Sequence, residues 1–580
     1  MSSIETHVEN CLEKMDLHAK IGQCLTYWWR GAMITPAVIE TITTLHCGGL
    51  RVEPYRTESG VEGYYGLDLE EKNFQPPQDY FTIAQSSFQR SLPGTNISAS
   101  EYARRLNRLK EIAMNRPHGA PLHICTDFEG DMSHDFPFDG MNIFPANMGL
   151  CAAGTPENAY RAGYVIARQL GAMGIQMVHS PVCDVNLNPR NPEINIRAFS
   201  DSPETCSSYA AQMSKGIMDG GIIPTAKHFP GRGDSGVDAH KGLPTLDVPR
   251  SRLDAVELLP YIEQIAQQVP AIMTAHNAYP ALDDSGLPAT LSSKILIDLL
   301  RNEMGFRGVI TSDAMGMGAI VKKWGVPVAS AMALKAGCDL VLLKFEDELR
   351  TQTFFEIKRW VDDGRISREE LDTRVRNVLR MKAEHGLFDN GGIVDADAAS
   401  GVLHDEENVR TVRDISRRAV TVIRDPHGLI PLSPYKKVMV IEQLLQDKTV
   451  PRDTHFHQHS FNEAMLAHSL SCIPADTSFS ATDKEIEVIM QRVAQADIVV
   501  MTNHFWRVHK ENNTRLVSLL TQKNIPVIVV TNTPYPSGVA DEADAVICTF
   551  GVTARSMQAA ADLLYGSFAP TGRLPVSRRE

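Results

Sequence analysis

IIPTAKHFPGRGDSGVDAHKGLP, residues 222–244, is the stretch on which the reading of this chain turns. A short β-branched run delivers Lys227 and His228 into a glycine-rich loop that also carries Asp234, Asp238 and His240. Amine, imidazole and carboxylate groups are thus crowded into one strand-to-helix connection. Gly231, Gly233 and Gly236 are expected to let the backbone take positive φ and fold back. A loop that follows a buried strand is where catalytic side chains tend to sit, so this one is read as the carrier of a general acid/base.

Working outward, helical and strand patterns alternate on both sides of that loop. A helix over SASEYARRLNRLKEIAM precedes the strand PLHICTDFEGD, and a helix over 156–172 precedes GIQMVHSPVCDVN. A helix over 203–219 leads into the opening stretch, and later helices lead into PAIMTAHNAYPALD, RGVITSDAMGMGAI and CDLVLLKF. TTLHCGGLRV, residues 43–52, reads as a further short buried strand, and residues 4–30 as a surface helix. Repeated alternation of this kind predicts a parallel sheet covered by helices. Asp127, Asp184, Lys227, His228, His276 and Asp313 each fall at or just past the end of an apolar strand, the catalytic face of a (β/α)8-type TIM barrel. An open doubly wound sheet would gather such groups at one switch point instead.

The expected organisation is an α/β protein of two parts. Residues 1–388 form the barrel, with a long polar and aromatic insertion at about 53–98. Residues 389–408, small and acidic, form a linker. Residues 409–580 form a smaller α/β sandwich whose strands include KKVMVIEQL, ADIVVMTNHF, IPVIVVTNT and ADAVICTFG. The sandwich contains no phosphate-cradling glycine motif, so nothing there points to a nucleotide, and no cofactor or metal is expected.

Composition limits the function classes. The chain has 580 residues, 43% hydrophobic and 22% charged, which is ordinary for a globular protein. A net charge of −13 argues against nucleic acid or an anionic membrane as the main partner, since both need a basic face. Ten scattered cysteines, without a CxxC pair, are what a reducing compartment allows. With no secretory pattern at the amino terminus, the expected setting is the cytoplasm and the expected partner a small carbohydrate; the oligomeric state is not legible.

Asp313, directly after an apolar strand and before flexible glycines, is placed either to face a substrate or to cap the next helix. Hydrolysis of a glycoside with retention needs a carboxylate nucleophile and a proton donor on the leaving oxygen. A histidine suits the second task because its ordinary pKa of about 6.5 lies near working pH, and Asp238 could orient His240 as in other His-Asp pairs. Asp184 is expected to order its own loop with Asn186 and Asn188. His276 is read either as a pocket residue or as a structural histidine.

KHFPGRGDSGVDAHKGLP resembles the signature loop of the β-N-acetylglucosaminidase branch of glycoside hydrolase family 3. SPVCDVNLNPRNPEINIRAF, MTAHNAYPALDDSGLPATLSSKIL and RNEMGFRGVITSDAMGM agree in order and spacing, and RRAVTVIRDPHGLIPL and YGSFAPTGRLPVS resemble the family's sandwich domain. The resemblance implies a nucleophile at Asp313, an acid/base at His240 assisted by Asp238, and substrate contacts from Asp127, Arg197, Lys227 and His228. It departs where the family continues D-x-E-G-G-R. Here Glu129 and Gly130 are followed by Asp131, Met132, Ser133 and His134, so a glycine and a substrate-side arginine are missing.

Three functions stay open at this point. One is a retaining exo-β-N-acetylglucosaminidase. Another is a phosphorylase of the same glycosides, because a neutral histidine base repels phosphate less than a carboxylate would. The last is a non-catalytic sugar- or metal-binding barrel. A different β-glycoside as substrate is the nearest rival within the hydrolases.

Overall fold

The computed structural model describes residues 3–54, 97–131, 133–135, 138–344, 348–444, 459–506 and 512–577. Most of the expected 53–98 insertion lies outside the described residues.

Eight parallel strands close into a barrel: β1 Leu25–Arg30, β2 Gly49–Glu53, β3 His123–Thr126, β6 Met177–Val178, β7 Ile223–Phe229, β8 Ala271–Thr274, β9 Val309–Ala314 and β10 Leu340–Leu343. Their order around the ring is β1-β10-β9-β8-β7-β6-β3-β2. A two-stranded hairpin, β4 Phe128–Gly130 with β5 Ser133–His134, stands on the end of β3. Helix starts between the strands are set by local chemistry. Ser98 and Glu101 make a reciprocal capping box for the helix Ala99–Met114, and Ser202 caps Pro203–Asp219 with proline in the first turn.

The expected helix over 4–30 is corrected by β1. LTYWWR is rich in strand-forming aromatics and pairs in register with both β2 and β10. No glycine or proline separates it from the helix Leu17–Gln23, so the helical spacing of Leu12, Met15, Leu17 and Ile21 runs into it unbroken.

One end of the barrel is sealed by packing. Cys125, Met177, Ile223, Ala271, Val309 and Leu340 form a layer near the strand starts, plugged by Val378 and Met381 of the helix Arg368–Glu384. Burying each large aliphatic side chain contributes about 1.5–3 kcal/mol, so this end serves stability. The opposite end, where the strands finish, is left to polar chemistry.

A six-stranded sheet forms the second unit, in the order β11-β16-β15-β14-β12-β13. Its strands are β11 Thr421–Arg424, β12 Val438–Gln443, β13 Cys472–Thr477, β14 Ile498–Thr502, β15 Val527–Thr531 and β16 Ala545–Cys548. Only β11 runs antiparallel. Alternate residues along β12, β14 and β15 pack into two separate cores, Val440, Val500 and Ile528 on one face and Met439, Val499 and Val529 on the other. Burial on both faces makes these strands read as continuous apolar runs. The edge strand β13 is half-exposed and contains Pro474, so no such run marks it.

The two units are clasped together beside the barrel mouth. Asp131 Oδ2 accepts hydrogen bonds from Val552 N at 2.8 Å, Thr553 N at 3.0 Å and Ser556 Oγ at 3.2 Å. It thereby places a carboxylate at the positive start of the helix Ala554–Leu564. Thr533 Oγ1 donates to Asn195 Oδ1 at 2.7 Å, and Ala146 N donates to Phe550 O at 2.9 Å. The residue that breaks the family pattern at 131 is therefore a bracket between units. Asp131→Ala is expected to destabilise the fold, since each buried donor left unpaired costs roughly 1–3 kcal/mol, and to lower the thermal midpoint; Asp139→Ala, at an exposed position, should leave it unchanged.

Candidate active site

Residues from five barrel strands and the loops above them meet in an open-mouthed cavity. Its walls carry five carboxylates (Asp127, Glu129, Asp135, Glu193, Asp313) and five cations (Arg51, Arg197, Lys227, Arg232, Lys344). With the charges matched in number, the cavity suits a neutral, hydroxyl-rich ligand better than an ion.

The central loop is built by close backbone approach. A Cβ on Gly233 would lie 1.8 Å from Val185 O, so only glycine fits, and Gly231 takes φ +130°. Gly236 needs neither freedom: its φ is not positive and its nearest neighbour would be 3.8 Å away. The register of β7 against β8 shifts between Lys227 and Phe229, and both Lys227 and His228 line the cavity. Further along, Gly318 N donates to His240 O at 3.2 Å and Ala319 N to Ala239 O at 2.9 Å. Ala239 also packs with Ala314 and Met317. The Asp-x-His loop is thus fixed to the segment that follows Asp313.

Asp313 sits at the end of β9 with Oδ1 accepting from Ala314 N at 2.7 Å. Its Oδ2 lies 3.5 Å from Arg232 Nη1 and 4.0 Å from His228 Nε2. Burial opposes ionisation, but Arg232, His276 and the Ala314 N–H outweigh it and hold the carboxyl at about 2. Across from it, His240 Nδ1 is 2.7 Å from Asp238 Oδ1 and 3.5 Å from Glu193 Oε1. Asp238 Oδ1 also accepts the His240 backbone N–H at 2.9 Å, which fixes the ring. Arg232 Nη2 reaches Glu193 Oε1 at 2.9 Å, so one guanidinium links the Asp313 side to the His240 side.

The floor is a chain of buried ion pairs. Lys227 Nζ lies 2.9 Å from Asp127 Oδ1 and 2.6 Å from Glu129 Oε1. Arg197 grips Glu129 with Nε and Nη2 at 2.8 and 2.9 Å. Burial would raise Glu129, yet Arg197 and Lys227 bring it to about 2. Asp127 is likewise held below the ordinary range by Lys227 and Arg51 against burial. Asp184 does not order its own loop as expected. It crosses to β7, with Oδ2 2.7 Å from His228 Nδ1 and Oδ1 accepting from Arg232 N at 2.7 Å, and burial pushes it up to about 7 against the pull of Arg232.

Of the eight expected site residues, Asp127, Arg197, Lys227, His228, His240 and Asp313 line the cavity, and Asp238 stands behind His240. His276 does not line it. This ring is buried behind Asp313, with Nδ1 2.7 Å from Thr290 Oγ1 and Nε2 3.1 Å from Ala314 O. Arg51, Glu193 and Arg232 are cavity residues that the sequence reading passed over. Arg51 had a visible signal, a charged residue inside a strand read as buried. Glu193, Asp238 and His240 bring ligand atoms within 4.8 Å of one another, and Glu442, His459 and Asp476 do so in the second unit. In the first group, however, the atoms are engaged by Arg232 and by each other.

The ion pairs make acid a probe of the floor. Glu129 is held below its ordinary value of 4.5, so its contribution to stability is complete above about 4.5 and is lost as pH falls toward about 2. Thermal midpoints measured across that interval should fall steeply for the wild type and more shallowly for Glu129→Gln.

Residues 87–381 match the family described as the glycosyl hydrolase family 3 N terminal domain, and residues 420–580 its C-terminal domain. Beta-hexosaminidase A of Pseudoalteromonas piscicida is 28% identical over 68% of this chain and 67% of its own length. A beta-N-acetylglucosaminidase/beta-glucosidase of Cellulomonas fimi is 31% identical over 56% of this chain and 58% of its own. The solved family 3 beta-N-acetylglucosaminidase from Paenibacillus sp. str. FPU-7 superposes with a TM-score of 0.84 at 28% identity, covering 97% of this chain and 99% of that one. With both of its units matched in order, the chain belongs to glycosyl hydrolase family 3.

Proposed function

We propose that the protein is a retaining exo-β-N-acetylglucosaminidase acting through a covalent glycosyl-enzyme on Asp313. The observation that carries the reading is the Asp238–His240 pair, docked by backbone hydrogen bonds to the segment that follows Asp313. Asp313, ionised at any pH above about 2, attacks the anomeric carbon. With Nδ1 engaged by Asp238, proton transfer falls to Nε2 of His240, which protonates the leaving oxygen and then deprotonates the acceptor. Lys227, His228, Asp127 and Arg197 surround the sugar, where hydroxyls can both donate and accept. The names of the Pseudoalteromonas and Paenibacillus relatives support an N-acetylhexosaminide as substrate. The chemistry is assigned to residues 1–388, with 389–408 as the connection and 409–580 as the sandwich that braces the mouth. All ten cysteines are free thiols, which supports a cytoplasmic setting.

The test is turnover of an aryl N-acetyl-β-glucosaminide. Asp313→Asn is expected to lose about 10³-fold or more in kcat, in keeping with removal of a nucleophile; normal turnover would sink the assignment. Since Asp313 stays charged down to about pH 2, an acid limb of the wild-type profile above pH 4 cannot be its titration. Rates with and without inorganic phosphate separate the two acceptors. Hydrolysis gives free sugar in both, whereas accumulation of a sugar 1-phosphate would make the enzyme a phosphorylase.

A further inference from the structure

In the ring of eight strands, β9 and β3 stand four positions apart in either direction. On the functional reading above, the anomeric carbon lies at Asp313, at the end of β9. The opposite edge of the pyranose, carrying C4 and C6, then points toward β3 and its neighbour β2. There Asp127 is already heavily used: Oδ1 faces Lys227 Nζ, and Oδ2 accepts from both Arg51 Nε at 3.0 Å and Arg51 Nη2 at 2.8 Å.

Beside it stands a second carboxylate. Asp135 follows the β4–β5 hairpin, its backbone N–H donates to Asp127 O at 3.0 Å, and its Oδ2 accepts from Arg51 Nη2. Among the described residues nothing donates to its Oδ1, and the side chain lines the cavity with 24% of its surface exposed. Arg51 is only 1% exposed and divides its donors among Asp127, Asp135 and Glu53. The hairpin is where the chain departs from D-x-E-G-G-R. Asp131 turns away to the second unit, and the guanidinium at this edge comes from β2 instead.

From this arrangement we infer that Asp135, oriented by Arg51, is a specificity-determining residue that accepts a hydrogen bond from a hydroxyl on the sugar edge opposite the anomeric carbon. Burial raises the Asp135 carboxyl against the pull of Arg51; in the ionised form that Arg51 favours it can only accept, so the group it meets there is a donor. A free hydroxyl at that position is selected, and a sugar acylated or glycosylated there is turned away. This gives exo action a physical cause at the far edge of the sugar.

The experiment compares kcat/KM on an aryl N-acetyl-β-glucosaminide and its 4-deoxy and 6-deoxy analogues for wild type, Asp135→Asn and Asp135→Ser. Wild type is expected to lose about 10- to 100-fold on one analogue, the range for a hydrogen bond to a charged group. The variants should lose a similar factor on the parent, mostly in KM, and fall less than about threefold further on that same analogue. Equal proportional losses on all three substrates would mean that Asp135 only shapes the hairpin, and would overturn the inference. So would no loss at all. If neither variant folds, wild type alone decides: undiminished kcat/KM on both analogues overturns it, and selective loss on one sustains it. Absence of wild-type activity on the parent would count against the N-acetylglucosaminidase reading instead, and the same comparison would then be run on aryl β-glucosides, where the Asp135 prediction is unchanged.

Discussion

The barrel mouth is governed by the cost of taking charge out of water. Ten ionic side chains converge on one cavity, and an unpaired buried charge costs several kcal/mol. The pairing is therefore dense: Lys227 serves Asp127 and Glu129, Arg197 serves Glu129, Arg232 serves Glu193 and Asp313, and Arg51 serves Asp127 and Asp135. Buried ion pairs are weak contributors to stability when compared with apolar packing. Stability here comes from the apolar layer at the other end, closed by Val378 and Met381. What the ionic network supplies is geometry, since each guanidinium and ammonium fixes the carboxylates on either side of it.

The second unit takes part in that geometry without lining the cavity among the described residues. The two segments that carry Glu129 and Arg197 are each tied to it, one through Asp131 and the helix Ala554–Leu564, the other through Asn195 and Thr533. Since Glu129 and Arg197 grip one another across 68 positions of sequence, bracing both segments from outside removes freedom that the ion pair alone would have to restrain. A purely local substitution at Asp131 thus reaches the floor of the site through a single intervening residue, Gly130.

Much of this was legible in the sequence, for physical reasons that differ by element. Alternating helical and strand periods gave seven of the barrel strands, because parallel strands buried on both faces are continuous apolar runs. β1 was hidden because it abuts a helix with no breaker between them, and β13 because an edge strand carries polar residues and proline. The cavity residues were legible where a motif surrounds them, as with Asp313 and His240. Glu193 and Arg232, although inside quoted motifs, were not, because their importance lies in a pairing between loops of different strands, and Arg51, visible as a charge in a buried strand, shows its role only through Asp127, 76 positions away. His276 looked like a site residue from its strand-end position, but only the structure shows both ring nitrogens turned to Thr290 and Ala314.

The division of labour proposed for Asp313 and His240 rests on what surrounds each. Asp313 faces Arg232 and lies under the influence of His276, and these keep it charged at about 2 despite burial. His240 faces carboxylates, Asp238 at 2.7 Å and Glu193 at 3.5 Å. Asp313 is thus kept as an anion by cationic neighbours, while the His240 ring is oriented by carboxylates. On the proposed function, environments that differ in this way suit Asp313 to the nucleophile's part and His240 to the acid/base's. Arg232, shared between Asp313 and Glu193, joins the two sides of the cavity: the same guanidinium that keeps Asp313 ionised also pairs with the second carboxylate behind His240.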